Sequence, residues 1–448
     1  MQQDVLDIVQ KKSVLNIGFD DTDSPNGMCT TYLAYKLVNS LKQDGVKFLD
    51  YPRLIRFNPN IPWKTRGNGA VSIKIQTDRP ERVKNKVIRF VSKYSDVKNG
   101  ANPGVVFYQS DKIPRRFVEF SKNALWKLVS RREARRFLKR NGLESYHIGN
   151  GQGLVGAIGA IGYDFDDHTF ELLSYRARSK FGTKRFVDGN SVRKMQERLV
   201  RTFNSYDTKK NKVLLAPRGP DPVLYGVRGE DVQTILDASR MIRSEKPAGY
   251  LVFKSNQGTG DHLQYDLDVN DLRPYSSGKI TGVVSKRPQM QEGGHVMFCV
   301  AKDGVEVNCA VYRPTGITQQ AMGLEVGDHV RVGGGIRRAS KNHLRTLNVE
   351  FFEVLKLQKK TILVNPRCQN CHKSMKSKGR GQGYECVICG RKSRTKTSKT
   401  VLRHLKKGLY IPQPSAHRHL TRPQQRIGVK NLESRFDESV SWFSVNQH

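Results

Sequence analysis

The sequence predicts a multidomain protein of mixed α+β class, and three observations lead to this prediction. The chain has 448 residues, which is enough for three or four domains with separate cores. Short apolar runs alternate with helical patterns in the N-terminal half, as expected of βα-rich units. Five short alternating strands and then two C-x-x-C pairs follow towards the C-terminus. These changes of pattern indicate different domains in one chain.

The N-terminal half supplies the α/β elements. We expect strands at 14–19, 70–75 and 105–108, and helices at 31–41 and 82–93. Between Lys112 and Arg140 a helical pattern carries eleven basic and two acidic residues, either a solvated surface or a face that contacts phosphates. The run LVGAIGAIGY at 154–163 predicts a buried strand or a tight helix, and its glycines do not fit a dinucleotide fingerprint. Residues 213–265 predict strand, loop, helix, strand and loop, which we expect to return to the N-terminal domain.

Charge and cysteine usage narrow the class of protein. Lys and Arg total 78 against 41 Asp and Glu, a formal net charge of +37, which favours a polyanionic partner such as nucleic acid. No apolar run approaches the ~20 residues of a membrane helix, and MQQDVLDIVQKK at the N-terminus has no secretory h-region. Four of the seven cysteines form two C-x-x-C pairs, which favours metal binding in a reducing compartment. We therefore expect a cytoplasmic protein that does not bind membranes.

An acidic cluster interrupts this basic chain. Asp20, Asp21 and Asp23 follow directly on an apolar run, and clustered carboxylates suit Mg²⁺ bridged to substrate phosphates better than they suit a core. A Ser-Pro-Asn-Gly turn follows, and Thr30 then stands at a helix start, where it is a plausible cap. The backbone N–H groups of that helix start would favour a phosphate. The sequence thus predicts a metal site beside an anion site.

A second loop has the composition of a phosphate site. Its residues Lys64, Arg66, Gly67, Asn68 and Gly69 crowd into six positions before a strand. Glycines let the backbone approach a phosphate, and the two cations supply charge. The order of residues excludes a Walker A motif, and an ordinary basic hairpin turn is the alternative. Beside the acidic cluster, a nucleotide-phosphate site is the better interpretation.

The C-terminal half predicts two small modules. Five short strands between 272 and 357 suggest a barrel of the OB type, a common reader of single-stranded nucleic acid, with Cys299 and Cys309 as small core residues. Fourteen residues separate the two C-x-x-C pairs, a spacing typical of a closed structural Zn²⁺ site; unpaired structural cysteines are the alternative. The predicted zinc ligands are Cys368, Cys371, Cys386 and Cys389.

The segment around the zinc ligands is strongly basic. Residues 361–430 contain seventeen Lys or Arg and one acid, Glu385, which favours contact with phosphates. We expect His372, next to a ligand, to stay outside the metal site. Aromatic side chains of this segment either stack on unpaired bases or pack on the ribbon; they are Tyr384, His404, Tyr410, His417 and His419.

Several of these motifs together carry a family resemblance. They are GFDDTDSPNGMCTTYL, PRLIRFNPNIPWKTRGNGAV, NPGVVF, GQGLVGAIGAIGYDF, DPVLYGVRGED, EGGHVMF and GRGQGYEC. Together they resemble the archaeal TiaS family, the tRNA(Ile) 2-agmatinylcytidine synthetases, over roughly residues 13–427. The acidic triad, the threonine pair and the four zinc cysteines are all present.

The resemblance implies an activity. Members of that family use ATP and agmatine to replace the C2 oxo group of the wobble cytidine in CAU-anticodon isoleucine tRNA, so that the tRNA decodes AUA, and ATP is consumed to AMP with release of phosphate. The implied enzyme is an ATP-dependent C–N ligase that activates the C2 oxygen by phosphorylation. Its partners are that tRNA and agmatine, without an obligatory protein partner. The rival hypothesis is a non-catalytic single-stranded nucleic-acid-binding protein, which would leave the acidic cluster without a role.

The resemblance also implies domains and residue roles. It implies a kinase-like ATP-binding domain at 13–135 and 209–270, a ferredoxin-like domain at 136–208, an OB fold at 271–360, and a zinc ribbon with a basic tRNA-binding tail at 361–427. Thr30 matches the family threonine that becomes autophosphorylated. We assign Asp20, Asp21 and Asp23 to Mg²⁺ and ATP, with one of them possible as the base. The loop residues Lys64, Arg66, Gly67, Asn68 and Gly69 would hold phosphates, and SNQGTGDH at 255–262 would line the same pocket.

Overall fold

A computed structural model describes residues 12–341, 344–432 and 435–446. The stretch 1–11, on which the expected lack of a secretory signal depends, lies outside the described residues. Within the described ranges, no helix has both the length and the apolar character needed to cross a bilayer.

The first half of the chain is a mixed α/β unit. Its elements are β1 (Ser13–Asp20), α1 (Thr30–Gln43), β2 (Lys47–Phe48), β3 (Arg53–Arg56), β4 (Gly69–Thr77), α2 (Pro80–Tyr94), β5 (Gly104–Tyr108), α3 (Arg115–Trp126), α4 (Arg131–Arg140), β6 (Glu144–His147), α5 (Gly153–Gly162), β7 (Thr169–Tyr175), α6 (Gly189–Arg198), β8 (Thr202–Phe203), β9 (Tyr206–Asp207), β10 (Lys212–Val213), β11 (Val223–Gly229), α7 (Val232–Met241) and β12 (Gly249–Ser255). The expected strands and helices of 14–108 are confirmed.

The second half contains a barrel and small ribbons. Its elements are β13 (Ser277–Met290), β14 (Val296–Lys302), β15 (Val305–Val311), α8 (Thr318–Met322), β16 (His329–Arg337), β17 (Thr346–Lys356), β18 (Lys360–Val364), β19 (Lys376–Ser377), β20 (Tyr384–Glu385), β21 (Lys392–Ser393), β22 (Thr397–Val401), β23 (Gly408–Tyr410) and β24 (Phe443–Val445). Five strands in the order β15-β14-β13-β16-β17 close through a parallel β15–β17 pairing, so the five-stranded barrel is confirmed. Cys299 and Cys309 are buried in it, as expected.

One large sheet joins the elements of the first half. Its strand order is β6-β5-β1-β4-β3-β12-β7-β11-β8, with β2 beside β4 and β24 beside β12. The strands β3 and β12 pair in parallel, while β12 and β7 pair antiparallel. One apolar core runs along this sheet from Leu15 to Trp442, and a second one packs β3, β4 and β5 against α3, α4 and α5.

Three boundaries differ from the sequence prediction. The basic helical pattern of 112–140 is two helices, because Ser130 and Glu133 form a capping box that starts α4 anew. The sequence pattern at 193–203 predicts an exposed helix, but α6 ends at Arg198 and residues 202–203 form β8. The pattern at 213–215 predicts a strand, whereas β10 is limited to Lys212–Val213.

The glycine-rich run is a buried helix, α5, in backbone contact with the sheet. A Cβ placed on Gly18 of β1 would lie 2.1 Å from the carbonyl oxygen of Ala157, and one on Gly153 would lie 2.3 Å from that of Asp20. Only glycine permits so close an approach. The helix therefore begins directly beside the end of β1.

The C-terminal residues return to the first sheet; we call residues 411–432 and 435–446 the return segment. Its Arg426 is fully buried and donates hydrogen bonds to Asp167 (2.8 Å) and Glu230 (2.7 Å). Trp442 is also buried, with its ring 5.4 Å from that of Phe48 between centroids. The return segment is thus part of the core of the first half.

Candidate active site

The predicted catalytic and phosphate-binding residues lie around one cavity of about 340 Å³. The cavity is bounded by the end of β1, the β3–β4 connection and the N-terminal ends of α1 and α5. The residues that meet here are Asp20, Asp21, Asp23, Thr30, Lys64, Arg66, Gly67, Asn68 and Gly69. The structure therefore brings together the acidic cluster, Thr30 and the loop 64–69, as the sequence predicted.

The three carboxylates differ in their surroundings. Asp20 accepts a hydrogen bond from the Asp21 N–H (2.7 Å), and burial followed by repulsion from Asp21 raises its pKa well above the usual range. Burial and repulsion from Asp23 raise the pKa of Asp21 to about 6. Burial also raises the pKa of Asp23, although Arg66 and Thr65 oppose it. Such destabilised negative charge favours a cation in the cavity.

The backbone at these carboxylates is strained. Asp21 has φ +56°, a conformation that costs a non-glycine residue free energy and is concentrated at functional sites. A Cβ on Gly156 of α5 would lie 1.9 Å from Asp20 Oδ2. The Asp20 carboxylate therefore occupies space that only a glycine at position 156 leaves open.

The three carboxylates of the acidic cluster do not form a closed metal cage. Within the described ranges, the four cysteines of the ribbon are the one group of three or more ligand residues whose donor atoms lie within 4.8 Å of one another. Asp23 is already bonded to Thr65 Oγ1 (3.1 Å) and Arg66 (3.2 Å). Since Mg²⁺ is commonly held by one or two carboxylates plus substrate phosphates, the buried Asp20 and the adjacent Asp21 fit that ion.

The loop 64–69 connects to the acidic cluster. The Arg66 guanidinium donates to the carbonyl oxygens of Met28 (2.7 Å) and Ser24 (3.1 Å) as well as to Asp23. Arg66 thus holds the β1–α1 loop in place at the wall of the cavity. The Asn68 side chain donates to the carbonyl of Asn58 (2.8 Å), while Lys64 donates to its own loop at the Arg66 carbonyl (3.1 Å).

The loop backbone is also unusual. Arg66 and Asn68 have φ of +41° and +49°, and a Cβ on Gly69 would lie 2.7 Å from the Arg56 guanidinium. The loop, which connects the antiparallel strands β3 and β4, is therefore tightly formed.

Thr30 is the first residue of α1 and not its cap. The N-cap is Cys29, and α1 has no side-chain cap hydrogen bond. The Thr30 hydroxyl instead accepts a hydrogen bond from Thr22 Oγ1 (3.0 Å). The uncapped first-turn N–H groups leave the positive end of the helix dipole at the cavity.

The sequence interpretation missed two carboxylates of this cavity. Glu171, in the centre of β7, is 1% exposed and accepts hydrogen bonds from Arg228 (3.0 Å) and Gln257. Asp221 is buried, and within the described ranges its Oδ2 has no hydrogen-bond partner. A charged residue inside the apolar strand TFELLSY was the available signal for Glu171; Asp221 stands in a Pro/Gly-rich loop without such a signal.

Five carboxylates and five Lys or Arg side chains line the cavity. They are Asp20, Asp21, Asp23, Glu171 and Asp221, with Arg56, Lys64, Arg66, Lys127 and Arg228. Balanced charge of this kind suits a site that receives both a polyanion and a cation.

The loop SNQGTGDH does not line the cavity, contrary to expectation. Its Asn256 bonds both the N–H (2.8 Å) and the carbonyl (3.0 Å) of Arg56, and Gln257 bonds Glu171 and Arg228. The two side-chain amides thus bond to residues of the cavity wall, Asn256 to the backbone of Arg56 and Gln257 to the side chains of Glu171 and Arg228. The loop therefore supports the wall from behind.

The four cysteines form the predicted zinc site. Cys368 and Cys386 each begin a turn, and the two turns have the same hydrogen bond. The Cys368 carbonyl accepts from the His372 N–H (2.9 Å), and the Cys386 carbonyl accepts from the Gly390 N–H (2.9 Å). The ligand atoms of all four cysteines lie within 4.8 Å of one another, which suits tetrahedral Zn²⁺. His372 is outside this group, as expected.

The fold and the site define a class of protein. A mixed α/β unit with a charged cavity is joined to a five-stranded barrel and a four-cysteine ribbon, as in multidomain proteins that process nucleic acids. Three family models match the chain: the TiaS TCKD domain at residues 16–83, the TiaS FLD domain at 151–262 and the TiaS C-terminal zinc ribbon domain at 365–405.

Whole-chain comparisons agree with the family models. The isoleucine tRNA 2-agmatinylcytidine synthetase TiaS of Cenarchaeum symbiosum is 48% identical over 432 residues, 96% of each chain. A crystal structure of TiaS in complex with its isoleucine tRNA and ATP is similar with TM-score 0.84 and 33% identity, covering 95% of this chain and all of that one. A complex of TiaS with that tRNA, AMPCPP and agmatine is similar with TM-score 0.83 and 32% identity over the same shares. The chain belongs to the TiaS family.

Proposed function

We propose that this protein is an ATP-dependent ligase that joins agmatine to C2 of the wobble cytidine of CAU-anticodon isoleucine tRNA. The observation that carries the proposal is the single cavity shared by the acidic cluster, the loop 64–69 and the start of α1. The similarity to TiaS complexes with an isoleucine tRNA, a nucleotide and agmatine supports the same activity. A reaction on tRNA fits the charge of +37 and a cytoplasmic location.

The reaction needs the C2 oxygen to become a leaving group. ATP transfers a phosphoryl group to that oxygen and the remaining nucleotide leaves; the agmatine amine then forms a bond to C2 and loses a proton, and the C2–O bond breaks to release phosphate. Phosphoryl transfer depends mainly on positioning and on neutralising charge. The target base must leave the anticodon stack to reach the cavity.

We assign the residues accordingly. Asp20 and Asp21 hold Mg²⁺, with Asp23 orienting the loop through Arg66, and the ion when bound neutralises phosphate charge. Lys64, Arg66 and the backbone of residues 67–69 hold the phosphates of ATP. Thr30 accepts a phosphoryl group, since it stands at the uncapped start of α1 and lines the same cavity as Arg66 and the acidic cluster.

The cationic substrate needs a carboxylate oxygen that is free to accept a hydrogen bond. Glu171 is paired with Arg228 (3.0 Å) and also accepts from Gln257. Asp221 is paired with Arg185 through Oδ1 at 3.5 Å, whereas its Oδ2, at the cavity, has no hydrogen-bond partner within the described residues. We therefore assign Asp221 to one of the two positive ends of agmatine.

The domain division is also part of the proposal. A kinase-like unit begins the chain, and a ferredoxin-like unit includes β7, β11 and β12, which are neighbours in the sheet. The FLD match at 151–262 overlaps both the predicted ferredoxin-like range 136–208 and the range 209–270, which was predicted to be the second part of the kinase-like domain. That match supports assigning β11 and β12 to the ferredoxin-like unit.

A reconstitution experiment tests the function. Purified chain, ATP, Mg²⁺, agmatine and a transcript of the CAU-anticodon isoleucine tRNA are incubated, and the wobble nucleoside is analysed by mass spectrometry. We expect a mass gain on that cytidine and none on a methionine tRNA with the same anticodon. Asp20→Asn should abolish product, while the matched control Asp303→Asn, at an exposed turn with φ +50°, should not. Tight tRNA binding without any product would favour the non-catalytic alternative.

A further inference from the structure

One side chain of the catalytic cavity comes from the return segment. His419 lines the cavity although it lies far along the chain from the acidic cluster and the loop 64–69. The loop behind the cavity holds it in place: Gly258 N–H donates to the His419 carbonyl (2.8 Å), and Gly260 N–H donates to the Leu420 carbonyl (2.8 Å). The sequence analysis predicted that His419 belongs to the basic segment around the zinc ligands, so its position in the cavity requires an explanation.

Hydrogen bonds define which imidazole nitrogen carries the proton. The Glu171 carboxylate can only accept, so the Gln257 amide turns its NH₂ group towards Glu171. Its oxygen then faces Arg228 Nε (3.0 Å) and His419 Nδ1 (2.7 Å). Because that oxygen is an acceptor, His419 Nδ1 carries the hydrogen and Nε2 keeps its lone pair.

The unprotonated nitrogen lies against the phosphate loop. A Cβ on Gly67 would be 2.7 Å from His419 Nε2, so the imidazole edge touches that glycine. His419 also borders a second cavity of about 270 Å³ that contains Lys212, Arg218 and Arg418. Burial and the nearby cations Arg56, Arg228 and Lys64 lower the pKa of His419 well below its usual value. The ring is therefore neutral, and the three cations near it are side chains that only donate.

We infer that His419 Nε2 positions the amine-bearing end of a substrate by accepting an N–H hydrogen bond beside the phosphate loop. Phosphate oxygens cannot donate to this nitrogen, whereas an amino group can. The attacking amine of agmatine is the expected source, since it must reach C2 next to the phosphorylated oxygen; the exocyclic amine of the cytosine is the other source of the same chemistry. This role rests on the proposed function.

Two substitutions separate positioning from packing. His419→Asn keeps an N–H for Gln257 but removes the acceptor, whereas His419→Gln can place its amide oxygen near the original Nε2. We expect His419→Asn to raise KM for agmatine about tenfold or more, with KM for ATP and the melting temperature unchanged, and His419→Gln to recover part of the loss. A higher KM for tRNA with KM for agmatine unchanged would assign the acceptor to the cytosine amine. Wild-type kinetics in His419→Asn, or equal loss in both variants together with a lower melting temperature, would overturn the inference.

A spectroscopic measurement is independent of activity. In ¹⁵N-histidine-labelled protein, the resonances that disappear in His419→Asn should report a neutral ring with a protonated Nδ1. A protonated Nε2 or a doubly protonated ring would overturn the inference. If the wild-type chain forms no conjugate, the proposed function fails, and this measurement still decides the tautomer.

Discussion

Replacing Gly156 by alanine should displace the buried Asp20 carboxylate. The new Cβ would lie 1.9 Å from Asp20 Oδ2, 2.6 Å from its Cγ and 2.9 Å from its Cβ. An ordinary carbon–oxygen contact needs about 3.3 Å, so the carboxylate or the helix must move by more than about 1 Å. Overpacking of this kind costs about 1–3 kcal/mol of unfolding free energy, and a 1 Å misplacement at a reacting centre costs about 10²-fold in rate.

The assay compares product formation, tRNA affinity and thermal unfolding in three variants. Gly156→Ala should lose about 10²-fold in the rate of conjugation while binding tRNA normally. In Gly162→Ala the new Cβ would lie 2.2 Å from the carbonyl oxygen of Phe117. This variant therefore measures the effect of overpacking the same helix at a position that does not touch Asp20. Gly189→Ala meets nothing closer than 3.4 Å and should be neutral. A rate for Gly156→Ala within about threefold of wild type, or a loss matched by Gly162→Ala at equal stability, would refute the argument.

Three further predictions concern other parts of the molecule. Exchanging Cys371 and Cys386 together for serine should release zinc and weaken tRNA binding but spare ATP binding, as measured by metal analysis and titration; unchanged metal content would disprove the zinc assignment, and Cys299→Ser is the control. Arg136→Ala with Arg140→Ala on the exposed face of α4 should weaken tRNA binding and reduce its salt slope by about 2; an equal effect of Arg193→Ala with Arg198→Ala on α6 would indicate only net charge. Burial, and to a smaller extent the charge of Lys254, lower the pKa of His168 to about 4. Between pH 6.5 and 4 the unfolded state therefore binds a proton that the folded state does not bind. Stability should fall by up to about 3 kcal/mol over that range, and His168→Asn should remove this part of the pH dependence in thermal unfolding; an unchanged pH profile would contradict it.

Short-range sequence patterns were sufficient to predict the elements that depend on a few neighbouring residues. The strand ending at Asp20, the helix start at Thr30, the barrel strands and the four cysteines follow from apolar periodicity, turn residues and ligand spacing. The acidic cluster follows strand β1 and the loop 64–69 precedes strand β4, and these two strands are neighbours in the sheet. The two groups, which the sequence analysis placed in one site, therefore lie at the same cavity. Family resemblance, rather than pattern, supplied the substrates.

Long-range placement was beyond sequence reasoning. Nothing near Asp221 or His419 indicates that a loop and a distant C-terminal segment meet the acidic cluster, because that depends on tertiary contacts. The prediction that Thr30 caps α1 was wrong, because Cys29 is the N-cap residue and has the extended backbone conformation of that position. The loop SNQGTGDH was expected to line the cavity because it ends a strand, but its amides turn towards Arg56 and Glu171.

The return segment has a consequence for how the protein is made. The pairing of β24 with β12 and the burial of Trp442 between Phe48 and Tyr51 complete a core whose first strand begins at Ser13. At about 5–20 residues per second, a ribosome needs on the order of tens of seconds between these two positions. The first sheet therefore emerges without part of its apolar filling, and the nascent chain has no complete cavity wall until His419 has left the exit tunnel. Catalytic competence should appear only after the return segment has been synthesised, and the unfinished sheet is the stage most exposed to aggregation.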